Sequence, residues 1–131
     1  MKKKILVADG PDLKDRVGAI LKAHELTYVH TLGEAMPALE RAGYDLIIIG
    51  VHFDESRMFD LLRQIRADER YRGTPVVCAA SHRFDTPISV EGLEIATRAL
   101  GAEAFIDFAR HGDYDAGNAA IRGVVERLLG D

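Results

Sequence analysis

The chain has 131 residues, 47% of them hydrophobic and 29% charged, which are the proportions of one packed globular domain and exclude disorder, a fibrous repeat or a long interaction tail. A formal net charge of −4 offers no general attraction for phosphate backbones or anionic lipid, and the one basic run, Lys2-Lys3-Lys4, is short and terminal. Neither nucleic acid nor membrane is expected as a partner, and the single cysteine, Cys78, excludes an internal disulfide or a cysteine-based zinc site.

Ile5 to Ala8 reads as a short buried strand, too brief for a signal-peptide core or a membrane span, which predicts a cytoplasmic protein. From Asp12 to His24, the spacing of Leu13, Val17, Ile20 and Leu21 predicts one apolar helix face. Leu26 to His30 is a weaker strand. A short helix follows from Glu34 to Ala42, where Pro37 is tolerable if it lies within the first turn, and Gly43 stops it. Asp45 to Ile49 has no polar break after Asp45, the pattern of a central strand covered on both faces. Phe59, Leu62 and Ile65 mark a helix from about Arg57 to Asp68, and Gly73-Thr74-Pro75 introduces the strand Val76 to Ala80. Ser81 to Pro87 is a polar loop, Ser89 to Leu100 a helix, and Ala104 to Ile106 the last strand after a break at Gly101. Asp113 or Asp115 then caps a terminal helix through Leu129.

Strand and helix alternate throughout with short connections, which predicts an α/β domain spanning residues 1–131. Right-handed crossovers give a flavodoxin-like (βα)5 three-layer sandwich, its five-stranded parallel sheet in the order 2-1-3-4-5. Ligands of such sheets bind beyond the carboxyl ends of the strands, so function is sought at Asp9, Gly10, Gly50, Ala80 and Phe108.

The stretches ILVADGPDL, YDLIIIGVHF, FDLLRQIRAD, TPVVCAAS and ALGAEAFIDF, in this order and spacing, resemble the receiver domain of two-component response regulators over essentially the whole chain. In that family a pair of acids after the first strand holds magnesium, an aspartate ending the third strand accepts a phosphoryl group, and a hydroxyl and a lysine contact the phosphate. Phosphoryl transfer is mainly positioning and charge neutralisation, so each of these groups supplies a separate part of the catalysis. Matched residue by residue, the chain keeps Asp9 of the acidic pair. Gly10 takes the second acidic place, Gly50 the phosphoacceptor's, Ala80 the hydroxyl's and Phe108 the lysine's, with Ala109 where a proline usually follows. Glycine carries no nucleophile, so the resemblance implies a degenerate pseudo-receiver that cannot form an aspartyl phosphate at position 50. With no anion at Gly50, an apolar Phe108 is the more stable occupant of a dry, partly apolar crevice. Phe105 matches the aromatic that reports phosphorylation in the family.

The same strand ends admit other chemistry. Asp9, His52 and His82 can converge as a metal site, although their scattered spacing lacks the close ligand pairs of zinc motifs and favours solvated loop residues. Asp54 and Glu55 could act as a displaced phosphoacceptor but read as exposed loop residues. Arg110 and His111 could replace the lysine's charge, and Cys78 reads as core. The longer 81–89 loop, with Phe84 and Ile88, could fold over the crevice as a lid.

There is no glycine-rich phosphate loop after the first strand, no evident nucleophile and base, and no paired catalytic carboxylates, so neither an enzyme nor a cofactor is expected. The leading expectation is a contact module. Its partner would be another signalling protein or a second copy in a homodimer, met through the fourth helix, fifth strand and fifth helix, with Glu94, Thr97, Arg98, Phe105 and Arg122 as contact residues. The alternative is a ligand-sensing domain that binds an anion, metal or small molecule in the vacated crevice through Asp9, His52, His82 and Arg110.

Overall fold

The computed structural model describes residues 2–9, 11–41, 43–80, 90–110 and 114–130. Within them the strands β1 (Lys4–Ala8), β2 (Glu25–Val29), β3 (Leu46–Gly50), β4 (Val76–Ala80) and β5 (Ala104–Asp107) form one parallel sheet in the order β2-β1-β3-β4-β5. The helices α1 (Pro11–Ile20), α2 (Leu32–Arg41), α3 (Met58–Ala67), α4 (Val90–Ala99) and α5 (Tyr114–Leu128) alternate with them. This is the flavodoxin-like order expected from the sequence.

Side chains alternate across a strand, and the apolar runs divide accordingly between two cores. Leu6, Ala8, Ile47, Ile49, Val76 and Cys78 pack with Ala38 and Leu39 of α2 and Leu61, Leu62 and Ile65 of α3. Ile5, Val7, Leu46, Ile48, Val77 and Ala79 pack on the other face with Leu13, Val17 and Ile20 of α1 and Ile121 and Val125 of α5. The central strand β3 is buried along its whole length because both of its faces are covered.

α2 begins at Leu32, two residues earlier than the sequence suggests, so Pro37 falls inside the helix and not in its first turn. The cause is a capping arrangement. Thr31 Oγ1 accepts a hydrogen bond from Glu34 N at 3.1 Å, while Glu34 Oε1 accepts one from His30 N at 2.8 Å. Gly33 and Pro37 are both exposed, so water can serve the carbonyl that Pro37 leaves without a helical donor. At the other end, the hydroxyls of Tyr44 and Tyr71 donate to Ala38 O and Leu39 O, and their rings stack with centroids 6.5 Å apart.

α1 ends at Ile20, before the expected His24, because His24 is used as a clasp. His24 Nδ1 accepts from Lys3 N at 3.1 Å, which leaves Nε2–H to donate to Glu126 Oε1 at 2.7 Å. Arg16 Nε donates to Asn118 Oδ1 at 3.0 Å, and Arg122 Nε donates to Ile20 O at 2.9 Å. These clasps bind α1 and the turn after it to α5.

A second tie lies under the amino-terminal ends of β4 and β5. Arg66 donates through Nε to Gly101 O at 2.8 Å, through Nη1 to Tyr71 O at 2.9 Å and through Nη2 to Thr74 O at 3.0 Å. Gly101 adopts φ +106°, and a Cβ there would stand 2.9 Å from Arg66 Cγ, so both its backbone and its space require glycine. Among the described residues no helix is long and apolar enough to cross a membrane.

Candidate functional site at the carboxyl ends of the strands

β1 and β3 are neighbours, with Ala8 opposite Ile49, so Asp9 and Gly50 emerge side by side. Asp9 is only 1% exposed. Its backbone is held on both sides, by Asp9 N donating to Val29 O at 3.0 Å and by Asp9 O facing His30 Nδ1 at 3.1 Å. Asp9 Oδ1 lies 2.7 Å from where a Cβ on residue 50 would stand, with Leu13 Cδ1 at 3.1 Å from the same point. The Asp9 carboxylate therefore reaches into the space that a side chain at position 50 would need. Ala80, at the tip of β4, is fully buried and offers no hydroxyl.

Phe108 begins a turn of 3-10 helix, Phe108–Arg110. The ring is 2% exposed and lies among Val17, Ile20, Leu21, Ile48, Val77, Ile106, Ile121 and Val125 around a residual cavity of about 10 Å³. Phe108 thus sits in a dry site, but that site is the core between α1 and α5, a correction to its expected place in the crevice. Arg16 covers the ring, with its guanidinium carbon 5.4 Å from the centroid and Nη1 donating to Phe108 O at 2.8 Å. Sequence reasoning missed Arg16, since its partner lies 92 residues away and nothing local marks it.

Of the proposed crevice ligands among the described residues, Arg110 stands apart. His52 is exposed, and Arg110 lines a cleft that neither His52 nor Asp9 lines. Among the described residues no group of three His, Cys, Asp or Glu side chains is placed to hold a metal ion. Gly10, His82, His111 and the proposed 81–89 lid lie outside the described residues.

Asp54, expected as an exposed loop residue, is half-buried in the loop after β3. Its Oδ2 accepts a hydrogen bond from Leu32 N at 2.8 Å, which caps α2 and ties the loop after β3 to it. Asp54, Glu55 and Ser56 run consecutively through left-handed backbone at φ +43°, +55° and +68°. Such geometry costs about 1–2 kcal/mol per non-glycine residue, so the Asp54 cap helps to hold a strained turn.

Cys78 is core, and burial pushes its thiol up from 9.0 to about 12. Burial also raises the hydroxyls of Tyr28, with Asp15 and Asp9 adding to the effect, and of Tyr71, against the opposing charge of Arg70. In each case the folded state holds its proton more tightly than the unfolded chain. The associated stability is complete below about 9 and is lost as pH rises toward the Cys78 value of about 12. The urea midpoint is therefore expected to fall between pH about 8 and about 10.5, and Cys78→Ala is expected to reduce that fall. An unchanged pH profile in Cys78→Ala would show that the thiol carries none of it.

On the α4–β5–α5 side, Phe105 is half-buried, pairs across the sheet with Cys78, and lines a cleft of about 260 Å³ with Arg98, Asp107, Arg110 and Val124. One expected contact residue is not available there. Thr97 is fully buried, its hydroxyl donating to Glu94 O at 3.1 Å, whereas Arg122 is exposed and donates through Nε to Ile20 O. Glu94 and Arg98 remain outward as an ion pair at 3.4 Å. Ile95, 65% exposed, is the large apolar side chain left in water among the described residues. Sequence reasoning missed it, because the inner stripe of α4 runs through Leu93 and the polar Thr97 and leaves Ile95 outside.

No family model matches the chain, and no curated protein matches it. Solved structures do. A response regulator from Hahella chejuensis is 21% identical, with 98% of this chain and 96% of that one covered and a TM-score of 0.77. A response regulator from Thermotoga maritima is 19% identical over the full length of both chains, with a TM-score of 0.75. The receiver domain of a sensor histidine kinase from Pseudomonas aeruginosa PAO1, solved with magnesium in its active-site cleft, is 20% identical over both full chains, with a TM-score of 0.73. At these identities the likeness is one of fold, and that fold is the receiver fold of response regulators.

Proposed function

We propose that this chain is a receiver-like signal-transduction module of the two-component type that is not phosphorylated on aspartate and acts through protein contacts. One observation carries the proposal: the tip of β3, where the resemblance places a phosphoacceptor, is Gly50, and the Asp9 carboxylate reaches into the space of the missing side chain. Ala80 and the core-bound Phe108 support the same reading, since each is a position where a group that would hold the phosphate is gone. A magnesium ion between the two phosphoryl partners needs several oxygen ligands, and the chain retains Asp9 alone of the matched acids. The reading calls for no catalysis and no cofactor.

Contact falls to the α4–β5–α5 side, where Ile95, the Glu94–Arg98 pair and the cleft beside Phe105 offer apolar and charged groups together. The partner is another signalling protein or a second copy of the chain. A ligand-sensing crevice is the less favoured reading, because Asp9 is buried and Arg110 belongs to a different cleft.

The test is intact-mass measurement after incubation with acetyl phosphate and magnesium, beside melting curves with the same additions. No added phosphoryl mass and no melting shift are expected. Incorporation on any aspartate would overturn the reading, and Asp9 and Asp54 would be the first residues to replace.

A further inference from the structure

Gly50 is a glycine without a backbone reason. It lies in a strand, and among the described residues the glycines with positive φ are Gly101 and Gly130. Space explains it instead. A Cβ at this position would stand 2.7 Å from Asp9 Oδ1, 3.1 Å from Leu13 Cδ1 and 3.7 Å from Asp9 Cγ, and the first of these is shorter than an ordinary carbon–oxygen contact. Both contacts are side-chain ends, and both residues are enclosed. The Asp9 backbone is fixed by Val29 and His30, its side chain is buried, and Leu13 is packed in the core with Val17 and Phe108.

Building on the silent-receiver reading, we infer that Asp9 and Gly50 form a steric lock: Asp9 fills the place of the missing side chain and makes glycine obligatory at position 50. On this inference Asp9 is a positioning residue for the tips of β1 and β3. The space beside Gly50 is occupied from within.

A double-mutant cycle on the full chain tests this. At a strand position with ordinary backbone, Gly→Ala normally stabilises by restricting the unfolded chain. The lock reverses that sign. Gly50→Ala is expected to lower Tm by roughly 3 °C or more when Asp9 is present. In an Asp9→Ala background it is expected to leave Tm unchanged or raise it. In an Asp9→Asn background, which keeps the shape, the loss is expected to persist.

The lock is overturned if Gly50→Ala leaves Tm unchanged or raises it with Asp9 in place, if it lowers Tm equally with and without Asp9, or if Asn relieves it as Ala does. Should Asp9→Ala not fold, a structure of Gly50→Ala decides. A carboxylate displaced from its present position supports the lock, and an unmoved Asp9 beside an accommodated methyl overturns it. The mass measurement separates the two ideas, because phosphoryl incorporation removes the silent-receiver reading without altering the cycle, while an additive cycle removes the lock and leaves that reading standing.

Discussion

Phe108→Lys, which installs the residue type that receivers carry after the fifth strand, is expected to abolish cooperative folding or bring the protein close to that point. The ring is 2% exposed, and its walls are aliphatic side chains from α1, the sheet and α5. Removing a buried phenyl ring costs about 3–5 kcal/mol. A lysine there adds an ammonium that the aliphatic walls cannot hydrogen-bond. Together these approach the whole stability of a typical domain, about 5–15 kcal/mol. Phe108→Leu keeps most of the apolar volume and is expected to lose no more than about 1.5 kcal/mol. Urea unfolding followed by circular dichroism checks both. A Lys variant as stable as the native protein would mean that position 108 can still send its side chain to the crevice, and that the core between α1 and α5 does not depend on the ring.

Arg66→Ala is the second large effect, with an expected loss of about 2–4 kcal/mol. Its guanidinium serves three backbone carbonyls that belong to three separate segments: the 3-10 turn after α3, the loop before β4 and the loop before β5. Truncation leaves all three in a half-buried place without that donor. Arg66→Lys keeps the charge but not the planar fork, so it is expected to recover less than half of the loss. Hydrogen exchange adds a local readout at Glu103, whose amide bonds Val76 O where β5 begins. A change within about 0.5 kcal/mol for Arg66→Ala would reduce the clamp to a surface contact.

The fold was legible because its signal is repeated. An apolar run such as Leu46 to Ile49 admits few uses in a chain of this length, and the alternation with helical stripes leaves one economical topology. Element ends were less legible, since they depend on single side chains. Thr31 and Glu34 start α2 early enough to enclose Pro37, and His24 leaves α1 to serve a clasp.

At the site, the residue types could be read but not their directions. Phe108 lies where the chain order puts it, yet its ring packs in the core between α1 and α5. Asp54 looked like a loop acid because the amide it caps belongs to Leu32, which is distant in sequence and adjacent in space. Thr97 was expected on the contact surface, but its hydroxyl turns back to Glu94 O and the residue is buried. The contact between Asp9 and the empty half of Gly50 has no signature in the sequence, because an absence in one strand is filled from the next.

The clasps between α1 and α5 bear on how the protein is made. Arg16 with Asn118, Ile20 with Arg122 and His24 with Glu126 each join residues 102 positions apart. During synthesis the first helix is complete long before its partner leaves the ribosome, and every one of these bonds must wait. Meanwhile Val17, Ile20 and Ile48 lack the cover that Ile121 and Val125 later supply. The nascent chain therefore carries one unfinished apolar face until the last helix arrives, and a ribosome stalled before Tyr114 would present that face to chaperones or to other unfinished chains.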